Sequence, residues 1–330
     1  MDKYKRRDRK LKMREWKKIV SEQENGKKLE QILKDSGFSK KEISRLKFRN
    51  PGISVDGKKC RSTEVLRIGQ EISLYLEDRE IDAAYLKNAK HEKDRLVEES
   101  EESLETGRVK NVHRTELEIL YEDEDLVIVS KPSGLSCHPG KGHYYDNLGS
   151  MVLAHCRKLS GDFLIREIGR LDKDTSGGMV FAKNRNAAAR LWSQKEIGTF
   201  YKKYLVLVHG KVEECGGTLD LPMEEVPNVK NRMTVCTAGM KAVTNYEVIR
   251  YCEINEENYT LLKCSLETGR THQIRVHMAA FGHPVAGDQF YGIKDGIKRL
   301  CLHAGELELL QPFSRKKIHV EIPVKGIPFE

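Results

Sequence analysis

The sequence contains no run of about eighteen apolar residues, which excludes an ordinary membrane-spanning helix. Its first residues are rich in Lys and Arg with no apolar stretch behind them, unlike a secretory signal, so the protein is expected in the cytoplasm with no membrane partner. None of the eight cysteines, at positions 60, 137, 156, 215, 236, 252, 264 and 301, forms a C-x-x-C pair. Zinc ribbons and thioredoxin-like redox sites therefore lack support, and reduced, structural thiols are expected. Aromatic residues make up only 7% of the chain, which leaves little beyond a core for large sticky surfaces. There is no internal repeat and no Gly-x-x-x-x-Gly-Lys-Ser/Thr loop, which argues against a nucleotide hydrolase.

What is present suits a folded protein of two domains: 330 residues, 38% hydrophobic and 33% charged. The net charge of +8 is unevenly spread. Residues 1–20 hold ten Lys/Arg against three Asp/Glu, which leaves only +1 for the other 310 residues. Such a tail suits a polyanionic partner, or is a solvated tail that aids solubility; charge alone does not separate the two.

A small module follows the basic tail of residues 1–26. Leu29, Ile32 and Leu33 have helical spacing with a stop at Gly37. Ser39 and Glu42 form a capping box for a second helix with Ile43 and Leu46 on its apolar face and Lys40, Lys41, Arg45, Lys47 and Arg49 on the polar one. Ile53 and Val55 lead into an Asp56-Gly57 turn, and Ile72, Leu74 and Leu76 alternate with polar residues as in a half-buried strand. The order of Leu-x-x-Ile-Leu, Ser-x-x-x-Ile-Ser-x-Leu, Val-Asp-Gly-Lys and Ile-Gly-Gln-Glu-Ile resembles the RNA-binding domain first described in ribosomal protein S-four. The resemblance covers residues 27–78 and implies a small α/β RNA-binding domain in which Lys40, Lys41, Arg45 and Lys47 meet RNA backbone. A generic basic αα-β domain is the alternative. Residues 79–112 read as a charged linker, with seven acids and two bases in 92–105, too polar to offset the entropy of ordering.

Residues 113–330 form the second expected domain. Strands are expected at Leu126–Val129, Tyr204–Val208, Val243–Ile249, Tyr259–Leu266 and Ile318–Ile322, and helices at Leu148–Leu159, Ala187–Lys195 and Thr271–Phe281. Strands and helices do not alternate regularly, so a βαβ repeat is excluded.

Two segments concentrate chemistry. Ile168-Gly-Arg-Leu-Asp-Lys-Asp-Thr-Ser-Gly-Gly178 places Arg170, Asp172, Asp174 and Thr175 in a loop before an apolar strand. It imitates the start of a calcium loop, but Lys183 stands where a bidentate Glu is needed, so no metal is expected. A surface turn using Asp and Gly for their dihedrals remains the other reading. The second segment, Leu266-Glu-Thr-Gly-Arg-Thr-His-Gln-Ile-Arg-Val-His277, turns from strand to helix with Thr271 as the expected N-cap. His272 and Arg275 share one helix face. His272 and His277 point roughly 140° apart, which disqualifies a zinc pair. A helix start rich in Arg and Thr suits phosphate or carboxylate.

Together these segments resemble the RluA family of pseudouridine synthases. The match rests on Arg-Leu-Asp-x-x-Thr-Ser-Gly at 170–177, Lys202-Lys-Tyr204-Leu-Val-Leu-Val208, Gly269-Arg-Thr-His-Gln-Ile-Arg-Val-His277, Gly282-His-Pro-Val-Ala-Gly-Asp288 and Leu302-His303-Ala304, with Lys131-Pro132-Ser-Gly134 and His138-Pro139 upstream. The resemblance implies an α+β catalytic domain around a mixed, largely antiparallel sheet, the pseudouridine synthase fold. It implies Asp172 as the essential carboxylate, Tyr204 as the aromatic residue against the target base and Arg275 as the partner of Asp172. Arg170, Thr175, Arg270 and His272 join them as RNA-binding residues. RNA is the implied partner, ribosomal RNA of the large subunit first and transfer RNA second, with no metal, no small-molecule cofactor and a monomeric protein. The chemistry agrees: moving ribose to carbon 5 of the base is redox-neutral and needs an aimed carboxylate. The base must also be flipped out of its stack, which an aromatic ring helps to offset. A non-catalytic RNA-binding or ribosome-assembly protein on the same scaffold is the rival, and it has no need of the carboxylate. One position departs from the family pattern, where His commonly precedes the Arg of the catalytic loop and this chain has Gly169.

Overall fold

The computed structural model describes residues 13–77, 117–138, 147–160, 165–229 and 231–326. The charged linker and residues 1–12 of the basic tail lie outside the described residues. The described residues divide into a smaller unit built on residues 13–77, with the short segments 184–186 and 312–315, and a larger unit that holds the rest.

In the smaller unit, strands β1 (Met13–Ile19), β2 (Ile53–Val55), β3 (Lys58–Lys59) and β4 (Glu71–Glu77) form a sheet in the order β1-β4-β2-β3, and α1 (Leu29–Asp35) and α2 (Lys40–Lys47) pack on it. The Ser39–Glu42 capping box is present, with the Glu42 amide donating to Ser39 Oγ at 3.2 Å. Leu29, Ile32, Leu33, Ile43, Leu46, Ile72 and Leu74 are all buried, so the apolar spacing read from sequence marks the core. The expected tail of residues 1–26 is corrected by β1, which pairs antiparallel with β4 from Met13↔Glu77 to Ile19↔Glu71. The strand was hidden because, among the described side chains of its stretch, only Trp16 and Val20 are buried between charged neighbours; Trp16 meets Phe38 edge-on, with ring centroids 4.9 Å apart.

The larger unit is a mixed, mostly antiparallel sheet with few helices. Its chain runs β5 (Glu118–Glu122), β6 (Leu126–Lys131), α3 (Leu148–Ser160), β7 (Arg166–Glu167), β8 (Ser176–Ala182), α4 (Arg185–Glu196) and β9 (Tyr201–His209). It continues through β10 (Gly216–Asp220), β11 (Met223–Glu225), β12 (Met233–Val235), β13 (Val243–Ile254), β14 (Glu257–Leu266), α5 (Gln273–Ala280), β15 (Leu302–Leu310) and β16 (Lys317–Glu321). The main sheet runs β10-β13-β14-β9-β15-β8-β6-β5, and each expected strand and helix overlaps one of these elements, although the helix expected at Thr271–Phe281 is shorter at both ends and the strand expected at Ile318–Ile322 stops at Glu321. Strands β6, β8 and β9 are nearly continuous apolar runs because both faces are covered.

β15 and β8 pair in parallel, His303 beside Ser176 and Ala304 beside Gly177. Gly177 permits this approach: a Cβ there would lie 2.3 Å from the Ala304 carbonyl oxygen, and its φ of +118° is one that side chains rarely adopt. The start of β8, where the Asp172 loop ends, is thereby anchored in mid-sheet.

Candidate active site

The Asp172 loop is held from below by the segment that follows β6. Lys131, 1% exposed, donates from Nζ to the carbonyls of Pro132 (3.0 Å), Leu135 (2.8 Å) and Lys173 (2.8 Å). Burial pushes its ammonium down to about 8. The Gly134 amide also donates to the Lys173 carbonyl (2.9 Å), and Ser133 Oγ donates to that of Asp174 (2.7 Å). The two residues that follow Asp172 are thus bonded to a strand end, which preorganises the side chain.

The second segment supplies the facing wall. Gln273 secures the strand-to-helix turn: its Oε1 accepts from the Arg270 amide (3.0 Å) and Thr268 Oγ1 (2.9 Å), and its Nε2 donates to the Val243 carbonyl (3.0 Å). The expected N-cap, Thr271, is corrected to His272, in the left-handed region at φ 56° with no side-chain cap bond. Its ring is taken up elsewhere, because Nδ1 contacts Tyr291 Oη at 2.9 Å and Nε2 lies 3.9 Å from Asp172 Oδ2. The Met233 amide donates to the same phenol oxygen (2.9 Å), so the Tyr291 hydroxyl is assigned as donor to Nδ1 and the imidazole N–H faces Asp172. Burial lowers the His272 pKa, which favours this neutral form.

Arg275 lies with Nη1 at 3.6 Å from Asp172 Oδ2, so the expected partnership exists, but its closer partner is Asp288. Nε and Nη2 form a two-pronged bond to the Asp288 oxygens at 2.7 and 2.8 Å, and the Phe290 and Tyr291 amides donate to the same carboxylate at 2.8 and 3.1 Å. Burial alone would raise the Asp288 carboxyl, but these bonds and the Arg275 charge outweigh it and hold it below its ordinary range. Arg275 also sits over the Tyr291 ring, 5.2 Å from its centroid. Sequence reading placed Asp288 in a motif without giving it a role, because its partner lies thirteen residues away on another element.

Asp172, His272, Arg275 and Asp288 line one cleft of about 850 Å³, which also holds Phe290 and Arg299. Phe290 is 39% exposed, whereas Tyr204 is 7% exposed within the core under the sheet. Burial, then the charge of Asp172, raises the Tyr204 phenol well above its ordinary value. Arg170 is exposed on the loop, and its charge reaches His272. Thr175 is buried, its hydroxyl without a partner among the described residues. Arg270 donates from Nε to the Lys241 carbonyl (3.0 Å). Lys40, Lys41 and Arg45 are exposed on α2 of the smaller unit, and Lys47 lies 3.9 Å from Glu30.

Gly169 has φ +85°, and a Cβ built there would lie 2.8 Å from Lys195 Nζ. The ammonium from the last turn of α4 occupies the space that a side chain at this position would need. Gly169→Ala is expected to cost about 1–2 kcal/mol, since the backbone strain remains even if Lys195 swings away. Urea unfolding reads this directly, and a loss of less than a few tenths of a kcal/mol would contradict it.

No group of His, Cys, Asp and Glu suited to a metal ion occurs among the described residues. No described helix is long and apolar enough to cross a membrane.

Residues 125–280 match the family described as RNA pseudouridylate synthase. The chain is 40% identical over 214 residues to the uncharacterized RNA pseudouridine synthase YlyB of Bacillus subtilis, covering 63% of this chain and 69% of that protein. It is 42% identical over 218 residues to the ribosomal large subunit pseudouridine synthase D of Nitrosomonas europaea, covering 63% and 62%. Among solved structures, human RNA pseudouridylate synthase domain containing 1 is similar at a TM-score of 0.54 and 26% identity, covering 64% of this chain and 85% of that one. With its mixed sheet and its cleft built from the matching motifs, the chain belongs to the RNA pseudouridylate synthase family and is an RNA pseudouridine synthase.

Proposed function

We propose that this enzyme isomerises uridine in large-subunit ribosomal RNA, in the cytoplasm and as a monomer, with Asp172 as its catalytic carboxylate. The observation that carries the reading is the placement of the Asp172 side chain, 16% exposed in the cleft and faced by Arg275 and the His272 imidazole. A carboxylate so placed can attack a nucleotide flipped into the cleft, and Arg275 stabilises it while remaining fixed by Asp288. Tyr204 lies against the target base in this reading, and Arg170, Thr175, Arg270 and His272 help to hold the RNA. The ribosomal target rests on the similarity to the large-subunit enzyme of Nitrosomonas europaea. Chemical mapping of pseudouridine in total RNA from cells with and without the gene tests it; modification lost only from transfer RNA would overturn the ribosomal assignment.

The smaller unit is the RNA-binding module of S-four type in this reading, covering 27–78 with β1 added, and residues 113–330 are the catalytic domain. Lys40, Lys41 and Arg45 point into solvent from one short helix, as phosphate contacts would. Replacing all three by Gln in the full chain should lower the slope of log K against log salt by about 0.7–0.9 per lost phosphate contact. The rate at saturating RNA should not change. Binding isotherms at several salt concentrations measure it, and an unchanged slope would return α2 to a merely solvated face.

A further inference from the structure

We propose that Arg299 binds a backbone phosphate of the RNA beside the target nucleotide. The proposal rests on the reading of the cleft as the site where uridine is isomerised, and names how the same cleft holds the substrate's charge. Arg299 lines the cleft together with Asp172, Arg275 and the exposed Lys298. Arg275 is committed to two carboxylates, whereas Arg299 is not: among the described residues no carboxylate lies within 4 Å of its guanidinium. Its bonds run to neutral acceptors, from Nη1 to the Lys325 carbonyl and from Nη2 to Ser176 Oγ, both at 2.6 Å. Its Nε is buried with no partner among the described residues. A half-buried cation without a counter-ion is costly, and an anion that brings several oxygens offsets that cost with charge-assisted bonds.

The guanidinium is also aimed. Ser176 Oγ, which accepts from Arg299, contacts His303 Nδ1 at 2.8 Å, and His303 Nε2 contacts the Ile322 carbonyl at 3.0 Å. The Ile322 carbonyl can only accept, so the imidazole N–H is on Nε2 and Nδ1 accepts from the Ser176 hydroxyl. That leaves the serine oxygen free to accept from Arg299, and the chain of bonds is satisfied from end to end. Ser176 stands at the start of β8, four residues beyond Asp172, and His303 lies beside it on β15, so the cation is fixed to the same parallel strand pair that fixes the catalytic loop. A flipped nucleotide remains joined to the chain by the phosphates at its two ends. One of them, caught by Arg299, would set the distance between its ribose and Asp172.

The test uses the full enzyme on an unmodified large-subunit ribosomal RNA transcript, with inorganic phosphate as the competing anion. Phosphate should inhibit the wild type competitively, and Arg299→Gln should raise KM at least tenfold with a much smaller change in kcat and make turnover insensitive to phosphate. Arg299→Lys should recover part of the KM and of the phosphate sensitivity, because it keeps the charge and loses the fork. An arginine with only a structural role would change the melting temperature and leave the phosphate inhibition as it was. If Arg299→Gln fails to fold, Ser176→Ala, which frees the guanidinium from its anchor, carries the same comparison with a smaller KM effect. Equal KM and equal phosphate inhibition in the folded variants would overturn the proposal. Wild-type enzyme that forms no pseudouridine in the transcript would instead overturn the ribosomal reading on which it rests.

Discussion

Asp172→Asn is expected to lower turnover by at least about 10³-fold, about 4 kcal/mol of transition-state stabilisation, while folding and RNA affinity stay close to wild type. The amide has the shape of the carboxylate, and the contacts at stake are loose, with Arg275 Nη1 at 3.6 Å and His272 Nε2 at 3.9 Å. Arg275 keeps its two-pronged bond to Asp288 in the variant, so no cation is orphaned and a stability change of about 1 kcal/mol is the most expected. A nucleophile has no such substitute, because an amide cannot attack and leave in its place. Joining ribose to carbon 5 expels the hydrogen at that carbon, so tritium release from RNA labelled there measures the rate. Retention of more than about a tenth of wild-type turnover would remove Asp172 from the chemistry and leave it a loop residue.

Asp288→Ala is expected to have the largest effect on stability, about 3–5 kcal/mol, because it leaves the Arg275 guanidinium buried without its main partner. The side chains of Arg275 and Asp288 are 7% and 0% exposed, so water cannot replace what is lost. For a domain of this size the melting temperature should fall by roughly 10 °C. Turnover should fall as well, by about 10²-fold, since a guanidinium freed from Asp288 can close on Asp172 and displace it by the fraction of an ångström that matters. Replacing both partners, Arg275→Met with Asp288→Leu, should return much of the stability and none of the activity, which separates packing from chemistry. The pair also sets a pH limit. The Asp288 carboxyl is held low in the folded state, so its contribution is present above its unfolded pKa of about 4 and is lost as pH falls through the folded value. Wild type should therefore lose stability more steeply than Asp288→Ala below about pH 4 and run parallel to it near neutrality. Unfolding measured across that range decides it, and a single variant within about 1 kcal/mol of wild type would mean that the pair is not the prop it looks to be.

The sequence by itself pointed to the family and marked the five helices and strands β2, β4, β6, β9, β13, β14 and β16, but not β5, β10 or β15. Local apolar periodicity and the turn residues between them are carried by neighbours in the chain, as at Leu29, Ile32 and Leu33 or the Ser39–Glu42 box, and the motifs carry the resemblance that implies Asp172 and Arg275 as site residues. Strand β1 escaped because its pairing with β4 spans more than fifty residues, and Trp16 and Val20, the buried side chains among those described, stand in a charged stretch. What only the tertiary structure decided is which charged groups meet. Asp288 closes on Arg275 from the loop after α5; Lys131 reaches the Asp172 loop from the end of β6; Lys195 fills the space above Gly169 from α4. Ser176, His303 and Arg299 come together because β8 and β15 pair in parallel. Spacing along a chain encodes the period of a helix or strand, whereas a buried charge is matched through space, by whichever segment the sheet order brings beside it.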